Sequence, residues 1–180
     1  MHLDEKTIAS EELFQGKILR LTRDTVLLEN GQTAFREVIH HSGGVCVVPL
    51  TEDEEVIFVK QYRYPFKTTL LEIPAGKLEA GEDPETCGRR ELREEAGAVS
   101  GDFCSLGKLY PTVAYDTEII YMFLARELEF LPQALDEDEF IDLLRIPLEE
   151  AYRMVMENEI FDAKTQIALM KAYNQLKNGN

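Results

Sequence analysis

The sequence predicts an α+β fold, with helices packed on a mostly antiparallel or mixed sheet and a small antiparallel β layer at the N-terminus. Three observations predict it. An Asn30-Gly31 pair lies between two alternating runs, a specific hairpin signal. The elements then follow in the order strands, helix, strands, two helices. In the C-terminal third the apolar residues change from strand-like to helical spacing.

Taken in order, "GKILRLTRDTVLLENGQTAFREVIHH" is the N-terminal hairpin and "GVCVVPL" a short buried strand. "EVIFVKQYRY" and "TLLEIPAG" are strands separated by Pro65. Residues 83–96 read as the first helix: Asp83 can cap it, Pro84 suits its first turn, and Gly97 can end it. "FCSLGKLYP", "EIIYMFLAREL" and "EFIDLLRIP" read as strands, and "LEEAYRMVMEN" and "DAKTQIALMKAYNQLK" as helices. The expected organisation is a β layer over 1–42 and a main domain over 43–180. The hairpin at 17–40 has little apolar partner of its own, so it needs something to pack against.

The chain has 180 residues, 44% of them apolar, enough for a single core. Its formal charge of −15 repels phosphate backbones, and no basic stripe is visible, which argues against a nucleic-acid partner. Any phosphate ligand then needs divalent cations or a few placed arginines. Cys46, Cys87 and Cys104 show no metal spacing and are expected to be free thiols in a reducing compartment. The N-terminus lacks the apolar run of a signal peptide, and no apolar run is long enough for a bilayer, so a cytoplasmic protein without a membrane partner is expected.

The segment "RRELREEAG" at 89–97 carries the chemistry. At about 100° per residue, Glu91, Glu94 and Glu95 fall in one helical sector roughly 100° wide. Three carboxylates there repel one another, and Arg90, at i, i+4 from Glu94, relieves only part of that. Clustered hard oxygens are what Mg²⁺ or Mn²⁺ requires. The preceding loop, "PAGKLEAGE", contributes Gly76 and Gly81, which permit a tight backbone path toward an ion or phosphate. Arg89 and Arg93 are expected to meet solvent, and His40 and His41 to be structural.

Gly76, Glu82, Arg90, Glu91, Glu94, Glu95 and Gly97 together resemble the signature box of the Nudix hydrolases, with all seven fixed positions filled. The position after Gly97, usually a larger aliphatic, is Ala98. The resemblance implies a Nudix-type α/β/α sandwich and hydrolysis of a diphosphate joined to another group. It implies Glu91 and Glu95 as ligands of Mg²⁺, with Mn²⁺ as the alternative ion. Glu94 would act close by, the Ala75 carbonyl would complete the metal site, and Gly76 would face substrate. Glu82 and Arg90 would form a structural ion pair.

Beyond the box, "FREVIHHSGGVCVVPL", "VKQYRYP", "LLEIPAGKLEAGE", "LDEDEFIDLLRIPLEEA" and "IFDAKTQIALMKAY" are similar to the bacterial ADP-ribose pyrophosphatases and their nucleotide-sugar relatives. That branch implies a general base on the acidic loop "ALDEDEF". Glu137 is the candidate base and Glu139 a candidate ligand or water-positioning group, and the two could trade roles. Arg63 would clamp a substrate phosphate, Arg36 and Glu37 would contact the nucleoside end, in some cases from a partner subunit, and Glu72 and Glu118 are further substrate contacts. A homodimer through the N-terminal layer is implied too. One loop departs from the branch: Tyr110-Pro111-Thr112-Val113-Ala114 stands where Tyr-Pro-x-Pro-Gly is usual. The expected substrate is ADP-ribose or a similar nucleoside diphosphate sugar, and the alternative is a GDP-mannose-type or other nucleotide-sugar pyrophosphatase. A nucleotide-sugar-sensing binding module is the non-enzymatic alternative, but such modules tend to lose box carboxylates and none is lost here.

Overall fold

The run "GVCVVP" forms β4 (Gly44–Pro49), buried at every position because it is covered on both faces. The computed structural model that places it describes residues 3–137 and 139–179. Val45 and Val47 point into one apolar cluster, while Cys46 and Val48 point into another. The first cluster is closed by Cys87, Leu92 and Ala96, on and just beyond α1 (Pro84–Glu95). The second is closed by Leu148, Ala151 and Val155 of α2 (Leu148–Met156) and by Ala168, Leu169 and Ala172 of α3 (Ala163–Asn178). A strand with helices on either face is the α/β/α sandwich. Each fully buried aliphatic in it contributes roughly 1.5–3 kcal/mol.

In the main unit β4 pairs in parallel with β9 (Ile120–Phe130) and antiparallel with the short β7 (Ala75–Lys77). β9 pairs antiparallel with β8 (Ala98–Leu109), so the sheet is mixed. A second, antiparallel sheet has the order β10 (Ile141–Pro147), β5 (Glu55–Arg63), β6 (Thr68–Glu72). The run "TLLEIPAG" is thus two strands, because Pro74 has no amide with which to continue a ladder.

Helix α1 begins where Asp83 accepts a hydrogen bond from the Thr86 amide at 3.1 Å. It is stopped by Gly97, at φ 61°. A Cβ there would lie 2.4 Å from the Leu131 carbonyl oxygen, so both conformation and space require glycine.

The other unit comprises residues 1–43 and 110–119. Its sheet runs β1 (Lys6–Gln15), β2 (Arg20–Leu27), β3 (Thr33–His40), all antiparallel. The Asn30-Gly31 turn joins β2 to β3, with Gly31 at φ 80° and its amide bonded to the Leu28 carbonyl at 2.9 Å. The segment 110–119, which links β8 to β9, joins this unit through Ile39: its amide donates to Tyr115 and its carbonyl accepts from Thr117. Among the described residues, no helix is long and apolar enough to cross a membrane.

Candidate active site

The three box glutamates share one side of α1 but not one environment. Glu91 is 8% exposed and Glu95 3%, whereas the side chain of Glu94 is about a third open. Arg90 lies among the carboxylates. Its Nε and Nη2 make a fork to Glu82 at 2.9 and 3.0 Å, and its Nη1 donates to Glu91 at 2.7 Å and Glu94 at 2.9 Å. The fork pulls the Glu82 carboxyl down to about 2 and ties the loop to the helix.

Burial pushes the Glu91 carboxyl up against the pull of Arg90, and the charges of Glu94 and Glu139 push the same way. Burial also dominates at Glu95, raising it to about 8. The Ala75 amide resists that rise, Glu91 and Glu139 add to it, and the charge of Arg63 counteracts it. Glu95 accepts from the Ala75 amide at 2.8 Å, so Ala75 meets the box glutamates through its N–H.

Gly76 leaves room for Glu91. A Cβ on Gly76 would lie 1.8 Å from Glu91 Oε1 and 2.0 Å from its Cδ, so this carboxylate occupies the volume of the missing side chain. A Cβ on Gly44 would in turn come within 2.8 Å of the Gly76 carbonyl oxygen.

The strip that supplies Ala75 and Gly76 makes a different attachment at each residue. Glu72, 1% exposed, receives a fork from Arg63, with both N···O distances 2.6 Å, and its Oε2 also meets Lys164 Nζ. The Ile73 amide donates to Thr165 Oγ1 at 3.0 Å, and the Pro74 carbonyl accepts from the Val47 amide at 2.9 Å. Ala75 and Gly76 then meet Glu95 and Glu91. Arg63 and Glu72, both anticipated as substrate contacts, are first of all partners of each other. Burial alone would push the Glu72 carboxyl up, but Arg63 and Lys164 outweigh it and hold it below its ordinary value.

The segment 131–134, which leads into the acidic loop, is docked on the end of α1. Leu131 and Ala134 amides donate to the Gly97 and Glu94 carbonyls, and Gln133 Nε2 donates to the Glu95 carbonyl. Arg93 Nη1 donates to the Pro132 carbonyl at 2.5 Å. Arg93 therefore anchors the entry to this loop instead of only meeting solvent. Arg89 is engaged as well, bonded to Glu85 and to the Ser100 carbonyl, with its guanidinium 4.5 Å from the Phe103 ring centroid. Of the loop glutamates, Glu139 is half-buried and its charge is felt at Glu91 and Glu95, while Glu137 is exposed in the turn. Asp138 lies outside the described residues.

Arg36, Glu37 and Glu118 belong to the other unit. Arg36 makes a fork to Glu5, at 2.8 and 2.5 Å, and Glu37 faces Arg23 across the β2–β3 ladder. The Glu118 carboxylate lies 3.3 Å from His41 Nδ1. Val113, in the departing loop, is exposed.

Among the described residues, no three His, Cys, Asp or Glu side chains converge as a ready-made cation site. The carboxylates expected to gather around an ion are instead shared out, Glu91 and Glu94 to Arg90 and Glu95 to the Ala75 amide. The donor set still fits a divalent cation in its chemistry. It offers hard oxygens on a rigid helix, and the burial that raises Glu91 and Glu95, with the nearby carboxylates adding to it, is what a doubly charged ion would offset. Lys164, Arg93 and Gln133 were not foreseen as parts of this region. For Lys164 the available signal was a lysine next to a helix cap in "DAKT", following an apolar pair.

Residues 40–168 match the family model described as NUDIX domain, and residues 5–39 match the one described as Nucleoside diphosphate sugar hydrolase N-terminal domain. The chain is 43% identical over 177 residues to an "ADP-ribose pyrophosphatase" of Bacillus subtilis (strain 168), covering 97% of this chain and 95% of the relative. It is 42% identical over 176 residues to a "Methanol dehydrogenase activator" of Bacillus methanolicus, covering 97% and 94%. A solved structure described as "Crystal structure of ADP compounds hydrolase" superposes with a TM-score of 0.87 at 21% identity, covering 98% of this chain and 96% of that one. At that identity the superposition speaks for the fold alone.

Proposed function

Because the chain belongs to the Nudix family, we propose that it hydrolyses the pyrophosphate bond of ADP-ribose or a similar nucleoside diphosphate sugar, giving a nucleoside monophosphate and a sugar phosphate. The observation that carries this reading is the pair of buried carboxylates, Glu91 and Glu95, set against the glycine-cleared backbone of Ala75 and Gly76.

Glu91 and Glu95 would hold a divalent cation, Mg²⁺ or alternatively Mn²⁺, with Glu94 and the Ala75 carbonyl beside them. Such an ion, when bound, neutralises diphosphate charge and activates water. Arg90 keeps Glu91 and Glu94 oriented and braces the loop through Glu82. Arg63 uses Nε and Nη2 on Glu72, and its half-open guanidinium is suited to a substrate phosphate. Glu139, felt at both buried carboxylates, is the loop group we assign to the ion or the attacking water, and Glu137 is the candidate base on the same turn. Arg36, Glu37 and Glu118 are assigned to the nucleoside end by family resemblance. A cytoplasmic homodimer joined through the N-terminal sheet completes the reading, and the ten exposed positions of β1 support it.

A panel containing ADP-ribose, GDP-mannose and other nucleotide sugars, read by phosphate-product detection in Mg²⁺ and then Mn²⁺, tests the reading. ADP-ribose should be turned over and GDP-mannose more slowly, and Glu95→Gln should abolish most turnover while the protein stays folded. Near-normal activity of that variant would remove the metal role. The relative named as a dehydrogenase activator supports a second reading, activation of a methanol dehydrogenase. A dehydrogenase rate unmoved by the added chain would dismiss it.

A further inference from the structure

Resting on the pyrophosphatase reading, we propose that Lys164, at the start of α3, is a positioning residue for the reaction: it holds Glu72 so that Glu72 presents Arg63 to the substrate diphosphate. Nothing in the box or the acidic loop includes α3, yet α3 reaches the site at two consecutive points. Lys164 Nζ meets Glu72 Oε2, and Thr165 Oγ1 accepts from the amide of the next residue, Ile73, at 3.0 Å. Asp162 caps the helix by accepting from the Thr165 amide at 2.9 Å, and its Oδ2 also lies 3.0 Å from Lys164 Nζ. The lysine is therefore fixed from both sides, with a side chain only 12% exposed.

Charge balance gives Lys164 its purpose. Glu72 is fully buried, and a buried carboxylate must be matched by cations. If Arg63 were its sole partner, the whole charge of that guanidinium would be committed to Glu72. With Lys164 on Oε2 and Asp162 behind it, two cations face two anions, and Arg63 need supply only part of the compensation. Its Nη1 makes no hydrogen bond to the described residues, and its side chain is 37% exposed. Its positive charge also reaches Glu95, on the face that would hold the cation. The Glu72 fork sets the plane of the guanidinium, and Lys164 sets the plane of Glu72. A bidentate grip tolerates little rotation, so losing the lysine should misalign the arginine rather than remove it.

The test compares wild type, Lys164→Met and the neutral pair Glu72→Gln/Lys164→Met, each assayed for thermal unfolding, Mn²⁺ binding and steady-state kinetics on ADP-ribose. Lys164→Met should lose kcat/KM on the order of 10- to 100-fold, mainly through KM, with Mn²⁺ affinity unchanged. The neutral pair leaves Arg63 and Asp162 in overall charge balance and should regain much of the melting temperature without regaining kcat/KM, because Glu72 no longer holds the arginine. A purely structural lysine would instead lower the melting temperature of Lys164→Met and leave kcat/KM of the folded variant unchanged. An activity-independent readout accompanies these: the Arg63 Nε–H resonance, slow to exchange in wild type, should exchange rapidly in Lys164→Met. If wild type turns over no nucleotide sugar, the pyrophosphatase reading falls and the resonance still decides the positioning. A folded Lys164→Met with wild-type kcat/KM, or with an unchanged Arg63 resonance, overturns the inference.

Discussion

Replacing Glu95 by glutamine should stabilise the metal-free protein at alkaline pH while removing its activity. In the folded chain, burial and the neighbouring Glu91 and Glu139 raise this carboxyl from an ordinary 4.5 to about 8. Below pH 4.5 the group is protonated in both folded and unfolded chains, and its full contribution to stability is present. Above 4.5 the unfolded chain releases the proton first, so stability falls by about 1.4 kcal/mol per pH unit and levels off once the folded form ionises near pH 8. The full loss is on the order of 5 kcal/mol, and structural relaxation should reduce it to roughly 2–4 kcal/mol. Glutamine avoids this loss and can still accept the Ala75 N–H through its amide oxygen. For a chain of this size the gain is worth about 5–15 °C in melting temperature. The assay is thermal unfolding of both proteins in EDTA from pH 5 to 9; titrating groups away from Glu95 and its neighbour Glu91 are common to both and cancel in the comparison. The two curves should nearly meet at pH 5 and diverge steadily to pH 8, and added Mn²⁺ should raise wild type but not the variant. A constant difference across the range would mean that Glu95 ionises freely in the fold, and the account of its burial would be wrong.

Two glycine substitutions should separate function from folding. Gly76→Ala drives a Cβ into the Glu91 carboxylate, which can swing aside, so turnover should fall by about 100-fold while the melting temperature changes little. Gly44→Ala instead meets the Gly76 carbonyl, which is backbone, and should cost roughly 1–3 kcal/mol in urea unfolding. On the acidic loop, Glu139→Gln should raise the metal concentration giving half-maximal rate. Glu137→Gln should instead lower kcat at saturating metal by roughly 10²-fold; reversed outcomes would exchange the two roles. Size-exclusion chromatography with light scattering should report a dimer, and mutating exposed apolar positions of β1 such as Ile8 and Phe14 to glutamate should yield monomer.

What could be read from the residues was what local chemistry decides. Asp83, Pro84 and Gly97 delimit α1 because caps, proline and positive φ act within a few residues. The buried runs of β4 and β9 are equally plain, and so is the box, whose members are tied to one helix and the loop before it. β1 was missed because Ile8, Leu13 and Phe14 do not alternate and every position of the strand is exposed. Arg93 departs from its expectation for a related reason. A helical arginine looks solvated until a distant carbonyl, here that of Pro132, comes to it; Arg89, 43% exposed, meets solvent as expected while also bonding the Ser100 carbonyl. The same holds for Glu72 and Lys164, 92 positions apart: only the packing of α3 on the sheet of β4, β8 and β9 makes them partners. Sequence spacing also said nothing of the second bond of Arg90 Nη1, to its neighbour Glu91.

The strip from Glu72 to Gly76 tolerates substitution far better than a change in length. Each of its five consecutive residues answers to a different counterpart, and the counterparts sit on β5, α3, β4 and α1. A point mutation breaks one of these attachments. A single inserted residue would move all those beyond it at once and turn each side chain to the opposite face. Surface loops elsewhere in the chain can lengthen freely, but this stretch acts as a fixed ruler between the phosphate-facing arginine and the metal-facing helix.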